Sequence, residues 1–125
     1  MSPVATAGQR PISHLVGQKL EYVRLGDVII LGFSGGTRVL IETVVHLSGV
    51  DAEESEDDLA MLLGEVVRAA RTGDTGELTI TLASGSELLV GADADVESWA
   101  VSGPDGGLVV CLPRGELAVW ASTQS

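Results

Sequence analysis

The chain has 125 residues, with 18 acidic and seven basic side chains and a formal net charge of −11 at pH 7. A surface this acidic repels phosphate backbones and anionic lipid, so the composition disfavours nucleic-acid binding and electrostatic attachment to membranes. One cysteine, Cys111, excludes an intramolecular disulfide and predicts a reducing, cytoplasmic setting, and no apolar run approaches the ~18 residues of a membrane span.

Composition also predicts the fold class. Hydrophobic residues make up 45% of the chain, aromatic residues only 3%, and 16 glycines are spread along it. Aliphatic runs separated by glycine-rich turns favour short strands over helices. Residues 1–11 have neither the basic start nor the apolar stretch of a signal peptide, so we expect a disordered tail followed by one domain over 12–122.

An internal repeat organises much of the chain. A Leu-x-Gly tripeptide at 15–17 returns at 62–64, and the glycine of a later turn, Gly36, corresponds to Gly85. These matches define one copy over about 14–46 and a second over about 62–92, which has two extra residues in its first turn. Each copy predicts a three-stranded antiparallel meander, and a period of this kind indicates duplication.

The strand patterns of the two copies differ. Leu78, Ile80 and Leu82 alternate with polar residues, which predicts a sheet with one wet face. Residues 28–33 are apolar on both faces, so this strand is expected to be central in its sheet or to cover a partner surface.

An acidic run separates the copies, within a linker over 50–62. Ser55 followed by Asp58 resembles a capping box, which predicts one short helix over about 55–62. The run is a candidate docking surface for a basic protein, in which it would mimic nucleic-acid phosphate, and the alternative is a solvated loop and helix start. Its acidic residues are Asp51, Glu53, Glu54, Glu56, Asp57 and Asp58.

Other reactive groups give weaker signals. Asp93, Asp95 and Glu97 have the alternate spacing of a calcium loop, but the glycine and final glutamate of an EF-hand are missing. Cys111 lies in an apolar run, where a buried thiol is inert, so pairing with His14 or His46 as nucleophile and base is not expected. The sequence therefore predicts no metal, no cofactor and no catalytic site.

The C-terminal segment, residues 97–121, predicts a third meander and contains both tryptophans. An exposed tryptophan is a common interface anchor, because it buries a large area at low entropic cost. We therefore take Trp99 and Trp120 as candidate partner-binding residues. The alternative for both is a lid that closes one end of the core.

The same segment resembles a known family. Its Glu-x-Trp, Gly-Pro-x-Gly, Val-Cys-Leu-Pro and closing Gly-Glu-Leu-Ala-Val-Trp elements, with the Leu-x-Gly tripeptides upstream, are similar to a family of small, uncharacterised actinobacterial proteins. The resemblance covers residues 14–121 and implies no activity. The turn at 113–115, Pro-Arg-Gly, departs from the usual Pro-Gly-Gly form.

These patterns together predict an all-β domain of antiparallel meanders, closed as a barrel or packed as a sandwich, with one short helix. The function that they favour is a non-catalytic interaction module, similar to an inhibitor or immunity protein that binds a basic partner. One alternative is a small-molecule-binding β barrel, which requires an apolar pocket of at least ~300 Å3. The other is a structural homo-oligomer, with a homodimer as its simplest form.

Overall fold

The computed structural model describes residues 12, 14–43, 45–48, 59, 61–93, 95–104 and 106–120, with the side chains of Ser48 and Trp120 outside that description. The predicted tail over 1–11 lies outside these ranges. Of the predicted helix over 55–62, only Leu59, Met61 and Leu62 are described, and these have 3₁₀ rather than α-helical conformation.

The described residues form ten strands in two sheets, and all the pairings among these strands are antiparallel. A six-stranded sheet has the order β1-β2-β3-β8-β9-β10, and a four-stranded sheet has the order β4-β7-β6-β5. The all-β prediction is confirmed, and the sheets form a sandwich-like pair that does not close into a barrel. The strands are Leu20–Arg24 (β1), Ile29–Phe33 (β2), Arg38–Ile41 (β3), Val45–Ser48 (β4), Val67–Thr72 (β5), Leu78–Leu82 (β6), Glu87–Val90 (β7), Trp99–Ser102 (β8), Leu108–Cys111 (β9) and Leu117–Trp120 (β10).

The core lies between the sheets and consists of the alternate aliphatic residues of each strand. Leu78, Ile80 and Leu82 of β6 point into it, as their period-2 spacing predicts. The prediction of a wet opposite face is wrong for β6, because Thr79 and Thr81 are only 8% and 5% exposed. Flanking strands on both sides shield these threonines, and the Thr81 hydroxyl donates to a Glu87 carboxylate oxygen at 3.2 Å.

Strand β2 lies between β1 and β3, so it is interior to its sheet, as one of the two interpretations predicts. Ile29, Leu31 and Phe33 are buried in the core, and Ile30 is half-buried on the other face. This strand, which is apolar on both faces, therefore has a neighbouring strand along each of its two edges.

The two segments aligned by sequence share a strand pattern and a turn conformation. Each begins with a turn, continues into a strand with a register shift after its first residue, at Leu20 in β1 and at Val67 in β5, and forms a three-stranded meander. Gly17 and Gly64, with φ of 91° and 88°, end the two turns. This left-handed conformation favours glycine, which explains the last position of each Leu-x-Gly.

A short ladder joins the two turns. The Gly17 amide donates to the Val67 carbonyl, and the Gly64 amide donates to the Leu20 carbonyl, both at 2.8 Å. Between these bonds, Lys19 forms an antiparallel bridge with Val66. Each bond from one turn has a counterpart from the other turn that runs in the opposite direction. A local two-fold axis therefore passes through the bridge and relates the two turns.

The strand that follows each three-stranded meander pairs with the other meander. β4 follows the first meander but pairs with β7, and β8 follows the second but pairs with β3. The β9–β10 hairpin then extends only the six-stranded sheet. The exchange ties each half of the chain to the other, so neither sheet is built from one meander alone.

Trp99 closes one end of the core. It is 1% exposed, and its indole Nε1 donates to the carbonyl of Gly76 at 2.9 Å. Gly76 belongs to the β5–β6 turn, which packs against the turn before β10 at Gly115. The position of Trp99 favours the lid over the interface anchor for this residue.

Candidate functional site

The two Leu-x-Gly turns place their middle residues in solvent. Leu15 and Leu62 are buried in the core, whereas Val16 and Leu63 are exposed. A turn that ends at a left-handed glycine needs no apolar side chain at its middle position. An aliphatic residue at both equivalent positions is therefore not explained by folding.

These two residues belong to a larger exposed group at the bridge. Val16, Met61, Leu63 and Val66 are 40–63% exposed, and we call this group the apolar corner. Val66 pairs with Lys19 at the local two-fold, and both side chains are exposed, since their neighbours Val67 and Leu20 point into the core. Singly exposed apolar residues are ordinary, but four of them on two joined segments favour an interaction surface.

Side-chain hydrogen bonds fix both turns. Gln18 accepts from the Gly35 amide at 2.8 Å and donates to the His14 carbonyl at 2.7 Å. At the equivalent position, Glu65 accepts from the Ser84 amide at 3.1 Å. The bonds from Gly35 and Ser84 each tie a turn to the second hairpin of its own meander, so both turns are held in place before any partner arrives.

The charges next to the apolar corner nearly balance. Among the described residues of the two joined segments, Lys19 and Arg68 are exposed bases, and the acids Glu21 and Glu65 lie two residues from Lys19 and three residues from Arg68. These four charges sum to zero, in a chain that carries −11. Weak local charge lets an apolar partner approach without the repulsion expected elsewhere.

A shallow depression lies on the outer side of the six-stranded sheet. Tyr22, Gly32, Thr37 and Arg38 contribute to its wall, and its volume is about 140 Å3. Pockets for small molecules typically have about 300 Å3 or more, so this depression does not favour the small-molecule alternative.

Several predicted site residues fall outside the description. The six acidic residues of the run lie outside the described ranges: Asp51, Glu53, Glu54, Glu56, Asp57 and Asp58. Trp120 is described only in its backbone, as the last residue of β10. Trp99 is described and lies in the core, where it offers no surface to a partner.

The alternating carboxylates at 93–97 form a local turn. The Asp93 amide donates to the Ser98 hydroxyl at 2.7 Å, the Asp93 carboxylate accepts from the Asp95 amide at 2.7 Å, and the Asp93 carbonyl accepts from the Arg114 amide. The bond from the Asp95 amide gives the Asp93 carboxylate a structural role in this turn. Within the described ranges, no group of three or more potential ligands is arranged to hold a metal ion.

The three potential catalytic residues are not gathered in a cleft. Cys111 is buried in β9, while His14 and His46 are exposed. Burial raises the pKa of the Cys111 thiol, and a hydrogen bond with Ser98 opposes that shift only in part. The thiol is therefore protonated near neutral pH, which is the wrong state for a nucleophile.

Cys111 should accordingly resist alkylation in the folded protein. With iodoacetamide at pH 7.5, we expect modification to be slower than that of glutathione by at least about 10³-fold, because the reagent must wait for an opening of the core. Mass spectrometry of timed samples gives the rate. Denaturant should restore the rate of a free thiol, whereas rapid labelling without denaturant would contradict the burial of this residue.

Sequence patterns did not identify the apolar corner as a site. They singled out the Leu-x-Gly tripeptides but assigned no role to Val16 or Leu63. The available signal was the aliphatic middle residue in both tripeptides. Met61 and Val66 carried no such signal, since the ladder that joins their segment to the first turn is formed by residues distant in the chain.

The described residues define a small all-β sandwich domain with two equivalent meanders and an exposed apolar corner. The chain belongs to DUF6188, a family of unknown function, which matches residues 11–121. A search of curated proteins and of solved structures finds no significant match. Among the described residues, no helix has the length and apolar character needed to cross a membrane.

Proposed function

We propose that this protein is a non-catalytic interaction module that binds another protein through its apolar corner. The observation that carries the proposal is that four side chains, each 40–63% exposed, lie on the two segments that the bridge joins: Val16, Met61, Leu63 and Val66. The partner is expected to present an apolar surface of matching size.

The apolar area that binding would bury and the rigidity of the two turns both favour binding at the corner. Covering a half-exposed valine or leucine contributes about 1 kcal/mol, half of the value for complete burial. Gln18 and Glu65 hold the turns through hydrogen bonds, so little ordering cost opposes this gain. The corner therefore offers a preformed contact rather than one created on binding.

A second candidate follows from charge. The acidic run at 51–58 contains six of the 18 acids, and residues 72–125 contain eight acids and one base. This distribution favours a basic partner bound in the manner of an inhibitor or immunity protein. Trp120 stays a proposed interface anchor for such a complex. A cytoplasmic location and kinship with small actinobacterial proteins belong to the same proposal.

Paired variants separate the two candidates. The double variant Leu63→Ser with Val66→Ser removes two corner side chains, and Leu89→Ser, at an equally exposed leucine on β7, is the matched control. With immobilised protein and lysate from the source cells, we expect a partner to bind wild type and control alike. Binding to the double variant should be roughly 30-fold weaker, since about 2 kcal/mol is lost.

The salt dependence of the captured complex is a second measurement in the same experiment. A complex made through the apolar corner should persist in high salt, whereas one made through the acidic run should dissociate, because salt screens charges. Replacing the six acids of the run by their amides should then abolish only the second kind of complex. Equal recovery by the double variant and wild type would contradict a role for the corner.

A further inference from the structure

The terminal strands of the two sheets are not equally protected against pairing with another chain. β1 and β5 each contain a register shift and exposed charged residues, Glu21 and Arg24 in β1 and Arg68 and Arg71 in β5. Shifts and charges are the usual devices that block edge-to-edge association. β10 has neither, because Leu117–Trp120 is uncharged and pairs with β9 without interruption.

Hydrogen-bond geometry defines the free edge of β10. The Leu112 amide donates to the Glu116 carbonyl at 2.7 Å, so this pair is a hydrogen-bonded one. Such pairs alternate along an antiparallel ladder, which makes Ala118 the next bonded residue. The amide and carbonyl of Leu117 and Val119 therefore point away from β9, and no described residue pairs with them.

The core-facing side of β10 is also incompletely covered. Val119 pairs with Val109, which is fully buried, so the two side chains share the core-facing side of the sheet. Val119 is nevertheless 43% exposed. A further strand beside β10 would shield this side chain and satisfy the outward backbone groups together.

We propose that β10 pairs with β10 of a second copy of this chain, antiparallel and about a two-fold axis. The pairing would join two six-stranded sheets into one of twelve strands. It does not rest on the apolar corner and is independent of the proposed function.

Symmetry and charge favour a second copy of this chain as the partner of β10. An antiparallel strand pair about a two-fold axis is self-complementary, and every strand pairing among the described residues is antiparallel. Two chains of charge −11 repel each other, so they associate most easily where acids are missing. The outward residues on two rows that cross the six-stranded sheet include no acid: Tyr22, Gly32, Arg38, Ser102 and Leu108 in one, and Arg24, Ile30, Leu40, Ala100, Val110 and Ala118 in the other.

Sedimentation velocity over a range of concentrations tests the proposal. Wild type should pass from the 12.9 kDa monomer to a dimer as the concentration rises. Val119→Pro removes an outward amide that bonds to nothing inside the described protein, and proline is tolerated on edge strands. We expect its association constant to fall at least tenfold, because each dimer loses two backbone hydrogen bonds.

Control variants keep the result decisive. Val119→Thr retains the amide and the branched shape, so its association constant should stay within about threefold of wild type. If Val119→Pro fails to fold by circular dichroism, Val119→Lys places a charge on the same edge and should abolish the dimer in a folded protein. The corner double variant should dimerise as wild type does.

Three results would overturn the proposal. Wild type that stays monomeric at every concentration would exclude the pairing. So would folded Val119→Pro or Val119→Lys that dimerises as strongly as wild type. Loss of the dimer in the corner double variant alone would place the self-association at the apolar corner and leave β10 without this role.

Discussion

Replacing Trp99 by alanine is expected to lower the free energy of unfolding by about 3–5 kcal/mol. The side chain is 1% exposed and fills the end of the core beneath the β5–β6 turn, so its removal leaves a cavity that the rigid turns cannot close. Urea unfolding followed by far-ultraviolet circular dichroism measures the change. This signal is preferable to fluorescence because the substitution removes one of two tryptophans.

Trp99→Phe is the matched control for this substitution. It retains an aromatic ring but cannot donate to the Gly76 carbonyl, so it should cost less than the alanine variant, about 1–2 kcal/mol. A loss below 1 kcal/mol for Trp99→Ala would show that the residue does not close the core. An unchanged melting curve with a lost partner would instead restore its role as an interface anchor.

Replacing Gly76 by alanine should cost about 3 kcal/mol or more. Its φ of 89° is unfavourable for any residue with a Cβ, a penalty of about 1–2 kcal/mol. In addition, that Cβ would lie 2.4 Å from the carbonyl oxygen of Gly115, so the two turns would have to separate. Denaturant unfolding gives the free energy, and thermal melting gives an independent midpoint.

Gly85→Ala isolates the first of these two terms, the conformational penalty of a positive φ. Gly85 has a similar φ of 97°, but a Cβ there meets no atom within 4 Å. Its alanine variant should therefore show only the conformational penalty of about 1–2 kcal/mol. Equal losses in the two variants would mean that the turns at Gly76 and Gly115 do not pack against each other in solution.

The strands were predictable because local patterns determine them. Alternation identified the inward face of β6, and glycine-rich turns gave the limits of the meanders. The buried threonines on the other face of β6 were not predictable, since their burial depends on which strands lie beside them. A period-2 pattern tells which residues share a face, but not how well the neighbours cover that face.

The pairing of distant strands was the other part that patterns missed. Chain order suggests that β4 continues the first meander, yet β4 pairs with β7, while β8 pairs with β3. This exchange depends on the packing of the whole core. The apolar corner has the same origin, because its residues lie on two segments that only the ladder joins, and the equivalent positions 16 and 63 are 47 residues apart in the chain.

Site-specific photo-cross-linking in the source cells tests the central claim most directly. A photoreactive residue at position 16 or 63 should give covalent adducts with a partner protein, and the same residue at position 89, on the outer face of β7, should give none. Adducts confined to positions 16 and 63 are the predicted result. No adduct at these two positions, or identical adducts at all three, would contradict the assignment of the apolar corner as the binding surface.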